Sequence, residues 1–260
     1  MAHTFSLSLA AVDILLEHET LGGAPYPFKV PHIGTTHTQR VQVRGAVFRD
    51  LESRGLMRGG RLDADVELAL KTFVDPQVSI AGAARLDGGK PLFTRVSSNN
   101  QFAVIVRQAE NLLVFEETRP TAIVPAIVDL LPLTPAAPGQ SVTIAKPVSA
   151  PPRRQPINEG SYDPFASVNR PRQSAGGAQL RSVERIFEKP KVRVGQFTPF
   201  VKGRNGRPVD LSPLAWFDTE AGRYLMSAHE AADGQRWLTY APADNARIAQ
   251  QLYAQLEGYL

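Results

Sequence analysis

The sequence predicts an α+β fold in which two related halves share a central antiparallel sheet, and three observations carry that reading. Apolar and polar residues alternate through two long tracts, Val78 to Glu117 and Val192 to Pro242, each cut by turn residues. Stretches of helical spacing bracket both tracts. The end of the first tract also recurs at the end of the second, at a constant offset of 125 positions. Asn111, Leu112, Leu113, Ile123, Ile127, Val128 and Leu131 precede Arg236, Trp237, Leu238, Ile248, Leu252, Tyr253 and Leu256 by that distance. A strand, a polar break and an amphipathic helix therefore return in the same order. A duplication accounts for this, because either half alone would leave a sheet face and an edge uncovered.

Each element follows from local chemistry. Phe5, Leu7 and Leu9 alternate and Val12, Leu15 and Leu16 then fall at helical spacing, so a short strand runs into a helix near Ala10 to His18. Gly22, Gly23, Pro25 and Pro27 stop it. Thr36-His37-Thr38-Gln39 has the form of a capping box, and a helix is expected from Thr36 to Arg54 with Gly55 as its left-handed C-cap. Asp63 opens a second helix carrying Val66, Leu70 and Phe73, which Pro76 ends. From Val78 the period becomes two. Strands at 78–86, 91–98, 102–108 and 112–117, with turns at Asp87-Gly88-Gly89-Lys90, Asn99-Asn100 and Glu110-Asn111, make a four-stranded antiparallel meander. Thr118 is then expected to cap a helix with Pro120 in its first turn and Ile123, Ile127, Val128 and Leu131 on one face.

After a short apolar run at Ser141 to Ile144, the stretch Pro147 to Gly177 is rich in Pro, Ser, Gly and Arg without periodicity. It reads as a flexible linker between an N-terminal half, 1–146, and a C-terminal half, 178–260, of one compact domain. The second half repeats the plan: a helix near Ala178 to Lys189, strands at 192–200, 211–218, 223–229 and 236–242, and a last helix from Ala243 to about Leu256.

Composition narrows the function. Hydrophobic residues make up 43% and charged residues 21%, the balance of an ordinary globular protein. The apolar start has no preceding Lys or Arg and is interrupted by Asp13, so neither a signal peptide nor a membrane span is expected and the location reads as cytoplasmic. With no cysteine, disulfides, thiolate metal sites and cysteine nucleophiles are excluded. Lys146 to Arg207 holds 13 Lys and Arg against 4 Asp and Glu, so the net charge of +4 is a local property of this segment. Arg153, Arg154, Arg170 and Arg172 within it support an alternative reading as a nucleic-acid-binding or regulatory protein, against a solvated connector.

Marks of catalysis are missing. His3, His18, His32, His37 and His229 never fall at metal-ligand spacing with a carboxylate. No nucleophile elbow, phosphate loop or dinucleotide fingerprint occurs, and Asp87 to Lys90 lies between alternating strands as a hairpin turn. Glu116-Glu117 precedes a helix and Asp218-Thr219-Glu220-Ala221-Gly222 suits a turn. No catalytic residue, metal or other cofactor is therefore assigned, and the protein is not expected to be an enzyme. Aromatics concentrate in the second-half strands, most of them as core. Alternation sets Ser79, Ala81, Ala83 and Arg85 against Val78, Ile80, Ala84 and Leu86, and groups Phe93 with Arg95 on one face. An accessible face mixing Phe with Arg would suit protein recognition.

In Gly195 to Leu256 the GQF entry, the W-x-DT-x-x-GRY hairpin at Trp216 to Tyr224 and the strand ending in APAD before an amphipathic helix form an ordered set. This region resembles the C-terminal part of the EspG family of type VII (ESX) secretion chaperones. The resemblance implies two pseudo-symmetric halves around a central antiparallel sheet flanked by two helical bundles. It also implies a non-catalytic cytosolic chaperone, monomeric or weakly dimeric, that binds the apolar tip of a PE–PPE-like heterodimer and involves no small-molecule substrate. Transferred by position, the partner-binding residues are Arg85, Lys90, Phe93, Arg95 and Arg107 along the sheet and its first hairpin, with Gln251 and Gln255 on the C-terminal helix. The loop at Asp87 to Lys90 is short for a large loop-mediated contact.

Overall fold

Both alternating tracts enter one sheet. The computed structural model describes residues 4–145, 177–203, 205–230 and 235–260. The chain runs through β1 (Thr4–Ser8), α1 (Leu9–His18), α2 (His37–Ser53), β2 (Met57–Arg58), β3 (Arg61–Leu62), α3 (Ala64–Val74), β4 (Val78–Arg85), β5 (Pro91–Ser98), β6 (Ala103–Ala109) and β7 (Leu112–Thr118). It continues through α4 (Ile123–Val128), β8 (Val142–Ala145), α5 (Gly177–Glu188), β9 (Arg193–Lys202), β10 (Pro208–Val209), β11 (Leu214–Thr219), β12 (Gly222–Glu230), β13 (Arg236–Pro242) and α6 (Asn245–Leu256). The linker expected at 147–177, with its four arginines, lies outside the described residues except for Gly177.

Caps set most boundaries. The Ser8 hydroxyl accepts the Ala11 amide at α1, Thr36 and Gln39 form the reciprocal box at α2, Asp63 accepts the Asp65 amide at α3, and Asp244 accepts the Arg247 amide at α6. Gly55, at φ 72°, ends α2, and the Leu56 amide returns to the Leu51 carbonyl. The fourth helix starts later than expected. Thr118 stays in β7 opposite Ala103, a 3-10 turn at Pro120–Ala122 follows, and α4 has no side-chain cap. Sheet pairing claims the residue that the cap would have used. The β2–β3 hairpin and β10, each strand two residues long, are too short to show alternation in the sequence.

Eleven strands form one antiparallel sheet in the order β1-β7-β6-β5-β4-β9-β11-β12-β13-β8, with β10 beside β9. Its seam is β4 against β9, from Val78 opposite Val201 to Arg85 opposite Val194. Outward from the seam one side reads β5, β6, β7, β1 and the other β11, β12, β13, β8. β8, which ends the first half in sequence, sits at the far edge against β13.

One face carries Val104, Val106, Leu113 and Phe115 and packs on α1, α2 and α3 through Leu15, Leu51, Leu70 and Phe73. At its other end the same face meets α5, where Val183 and Ile186 pack on Ile144, Tyr240 and Met226. The reverse face carries Ile80, Val96, Ile105, Phe197 and Trp216 under Ile123 and Ile127 of α4 and Ile248, Leu252 and Leu256 of α6. No described helix is long and apolar enough to cross a membrane.

Candidate protein-docking face

The stretch of sheet between α1–α3 and α5 has a floor of small side chains. Ser79, Ala81 and Ala83 of β4 are buried between Phe93 and Arg95 of β5 and Gln196, Thr198 and Phe200 of β9. Phe93, Gln196 and Thr198 are half-buried, and Phe200 is 39% exposed. Phe200 is thus among the second-half aromatics that are not core. Its alternation with buried Val201 and Pro199 was a readable sign that it lies on the opposite face.

Arg95 is only 6% exposed. One terminal nitrogen donates to the Tyr26 carbonyl at 3.0 Å and the other to the Ser79 hydroxyl at 2.6 Å. The guanidinium carbon lies 5.0 Å from the centroid of the Phe200 ring. Nε has no partner, and neither has the hydroxyl of Ser97, two residues along on the same face. Burial lowers the Arg95 pKa to about 10, because a charge removed from water loses its solvation.

The sequence-assigned contact residues divide between the faces. Arg85 is exposed at the end of β4, Lys90 is exposed past the 3-10 turn Asp87–Gly89, and Phe93 packs at the edge of the first core beside buried Arg95. Arg107 pairs with Thr94, so it points to the reverse face, where it meets Glu116 at 3.2 Å. Gln251 and Gln255 are half-buried on α6, over that reverse face, and Oε1 of Gln255 is buried without a partner. The structure therefore groups Arg85, Phe93 and Arg95 but sets Arg107, Gln251 and Gln255 apart from them. An apolar groove runs along α4 and α6 between Val128, Leu133, Pro135, Ala246 and Ala249, with Leu133 92% exposed at its rim.

The signature-like hairpin is internal. Asp218, wholly buried, accepts from Arg223 Nε at 2.6 Å and Nη2 at 3.0 Å, and from Arg193 Nη1 at 3.1 Å. Arg223, also wholly buried, stacks 4.7 Å from the Trp216 ring centroid and donates to the Pro132 carbonyl and the Asn245 side chain. Arg193 continues outward to Asp87 through two bonds of 2.7 and 2.8 Å, and these bonds, ahead of the cost of its own burial, raise its pKa. Two glycines make the arrangement possible. A Cβ on Gly195 would lie 2.6 Å from Trp216, and Gly222, at φ 124°, has the Pro135 and Ala137 backbone within 2.7 Å of that position. No group of three or more His, Asp or Glu able to hold a metal occurs among the described residues.

The family model described as the EspG family matches residues 8–254. Among solved structures, the chain is similar to the Mycobacterium tuberculosis type VII secretion system chaperone EspG5, solved in complex with the PE25-PPE41 dimer. The TM-score is 0.65 at 11% identity, over 98% of this chain and 96% of that one, a likeness of fold. No curated protein matches.

Proposed function

Because the chain belongs to the EspG family, we propose that it is a non-catalytic, cytosolic chaperone of a type VII secretion system that holds a PE–PPE-like heterodimer by its apolar tip. The observation that carries this reading is the family match, which runs through both sides of the sheet from residue 8 to residue 254. The likeness to a chaperone solved with such a dimer is consistent with it. Surface chemistry supports a binding role. Exposed Phe200 and half-buried Phe93 lie on a small-residue floor edged by polar side chains, as suits an interface that must cover an apolar patch and later release it. Leu133 and the α4–α6 groove offer a second apolar surface.

The two halves also read as a duplication. The mirrored strand orders on either side of the β4–β9 seam and the pairing of α4 with α6 over one face support this. On the other face α1, α2 and α3 pack together at one end and α5 stands by itself at the other, in place of the two expected bundles.

Co-expression tests the proposal. With a PE–PPE pair that is insoluble alone, the chain is expected to give a soluble stoichiometric complex on size exclusion, and Phe93→Asp to weaken it. If every candidate pair remains soluble without the protein and fails to co-elute with it, the chaperone reading falls.

A further inference from the structure

Arg95 is an anomaly in the free protein. A charge this deep in a fold is normally paired with a carboxylate, since neutral acceptors repay only part of its lost hydration. Among the described residues no carboxylate lies within the 4.0 Å limit of an ion pair with it, although ten other cation–carboxylate contacts of Lys or Arg reach that distance. Its two neutral acceptors are a backbone carbonyl and a serine hydroxyl. A guanidinium has five N–H donors in a planar fork, so the Nε edge stays unspent. The buried, unpartnered Ser97 hydroxyl lies on the same strand face.

What covers the charge is partly exposed. The Phe200 ring is part of the surface, and Tyr26, whose carbonyl holds the other side, is 41% exposed. The Phe200 ring therefore lies between the guanidinium and a group arriving from outside on that side. Two accessible aromatics around one buried arginine is the composition of an interface hot spot.

We infer that Arg95, gated by Phe200, is the receptor for a single acidic side chain of the protein partner. On docking, the partner's carboxylate takes the free Nε edge of the fork, and the apolar surface beside it packs on Phe200 and Phe93. This rests on the chaperone reading and adds the chemistry of the group recognised. It also gives a reason for the arginine: the free fold carries an uncompensated charge that only the complex neutralises, so a partner lacking the acid is rejected by desolvation.

The test separates this from a structural role. Arg95→Met keeps the length of the side chain and removes the charge. Its free form is expected to melt at or above the wild-type temperature, while its affinity for a PE–PPE pair falls at least tenfold. One Asp→Asn or Glu→Gln change in the partner should weaken wild-type binding by a similar factor and leave Arg95→Met binding unchanged. Equal affinities of wild type and Arg95→Met would overturn the inference, as would a loss to which no partner carboxylate couples. A second measurement needs no partner protein. The Arg95 ¹⁵Nε resonance should shift with added acetate and not with chloride at equal ionic strength, and shift more in Phe200→Ala. Acetate that moves neither resonance counts against the subsite even if the complex forms; a wild-type chain that responds to acetate but binds no PE–PPE pair counts against the chaperone reading instead.

Discussion

Asp218 is the single carboxylate that faces both Arg193 and Arg223. Replacing it with Ala would leave the fully buried Arg223 guanidinium without its anion, the costly way to break a buried pair, while Arg193 keeps Asp87. The expected loss is about 3–5 kcal/mol in chemical denaturation. A loss under about 1 kcal/mol would mean that Thr134, Pro132 and Asn245 alone satisfy Arg223. Trp216, Asp218 and Arg223 of the W-x-DT-x-x-GRY pattern thus form one close-packed internal knot. Spacing alone assigned Asp218 to a turn, since nothing in one sequence says that Arg193, 25 positions away, meets it.

At the level of elements, α1 and α2 are joined by charge as much as by packing. Arg40 bonds both Asp13 and Glu17 of α1, Arg44 adds to Glu17, and the Ile33 amide bonds Asp13 at 2.9 Å. Burial pushes the Asp13 pKa up, but its bonds to Arg40 and Ile33 outweigh this and hold it below the usual value. A depressed carboxylate stabilises the fold fully above its unfolded pKa of about 4 and ceases to do so as the pH falls through the folded value. Melting temperature should therefore drop on acidification below about pH 4, and Asp13→Asn should flatten that part of the curve; an unchanged slope in the variant would assign the acid sensitivity elsewhere. α2 was legible through Thr36 and Gln39, and the meander through its turns, because these signals are local. The late start of α4 was hidden because Thr118 answers to Ala103 across the sheet. The candidate docking face was half legible. Alternation correctly grouped Phe93 with Arg95, but the depth of Arg95 depends on Tyr26 and Phe200, 69 residues before it and 105 after it in the sequence.

For the whole molecule, the decisive contact is the seam. β4 is flanked by β5 on one side and β9 on the other, and β8 leaves the first half to close the second. Neither half has a finished sheet by itself. Separate fragments 1–145 and 177–260 are expected to be insoluble or unfolded alone and to yield a folded heterodimer when co-expressed, read by circular dichroism and size exclusion. A stably folded, monomeric 1–145 fragment would show that the seam is dispensable.

The seam also sets a clock. Val78 to Arg85 pairs with residues more than a hundred positions later, so on a ribosome adding about 5–20 residues per second the outer side of β4 waits about 5–25 s for its partner strand. During that interval it is a bare strand edge in a crowded cell, open to any other chain in extended form. Its central residues, Ala81, Gly82, Ala83 and Ala84, present almost no side chain to grip such an intruder. A smooth, small-residue strand is what one would place where translation leaves an edge unguarded the longest.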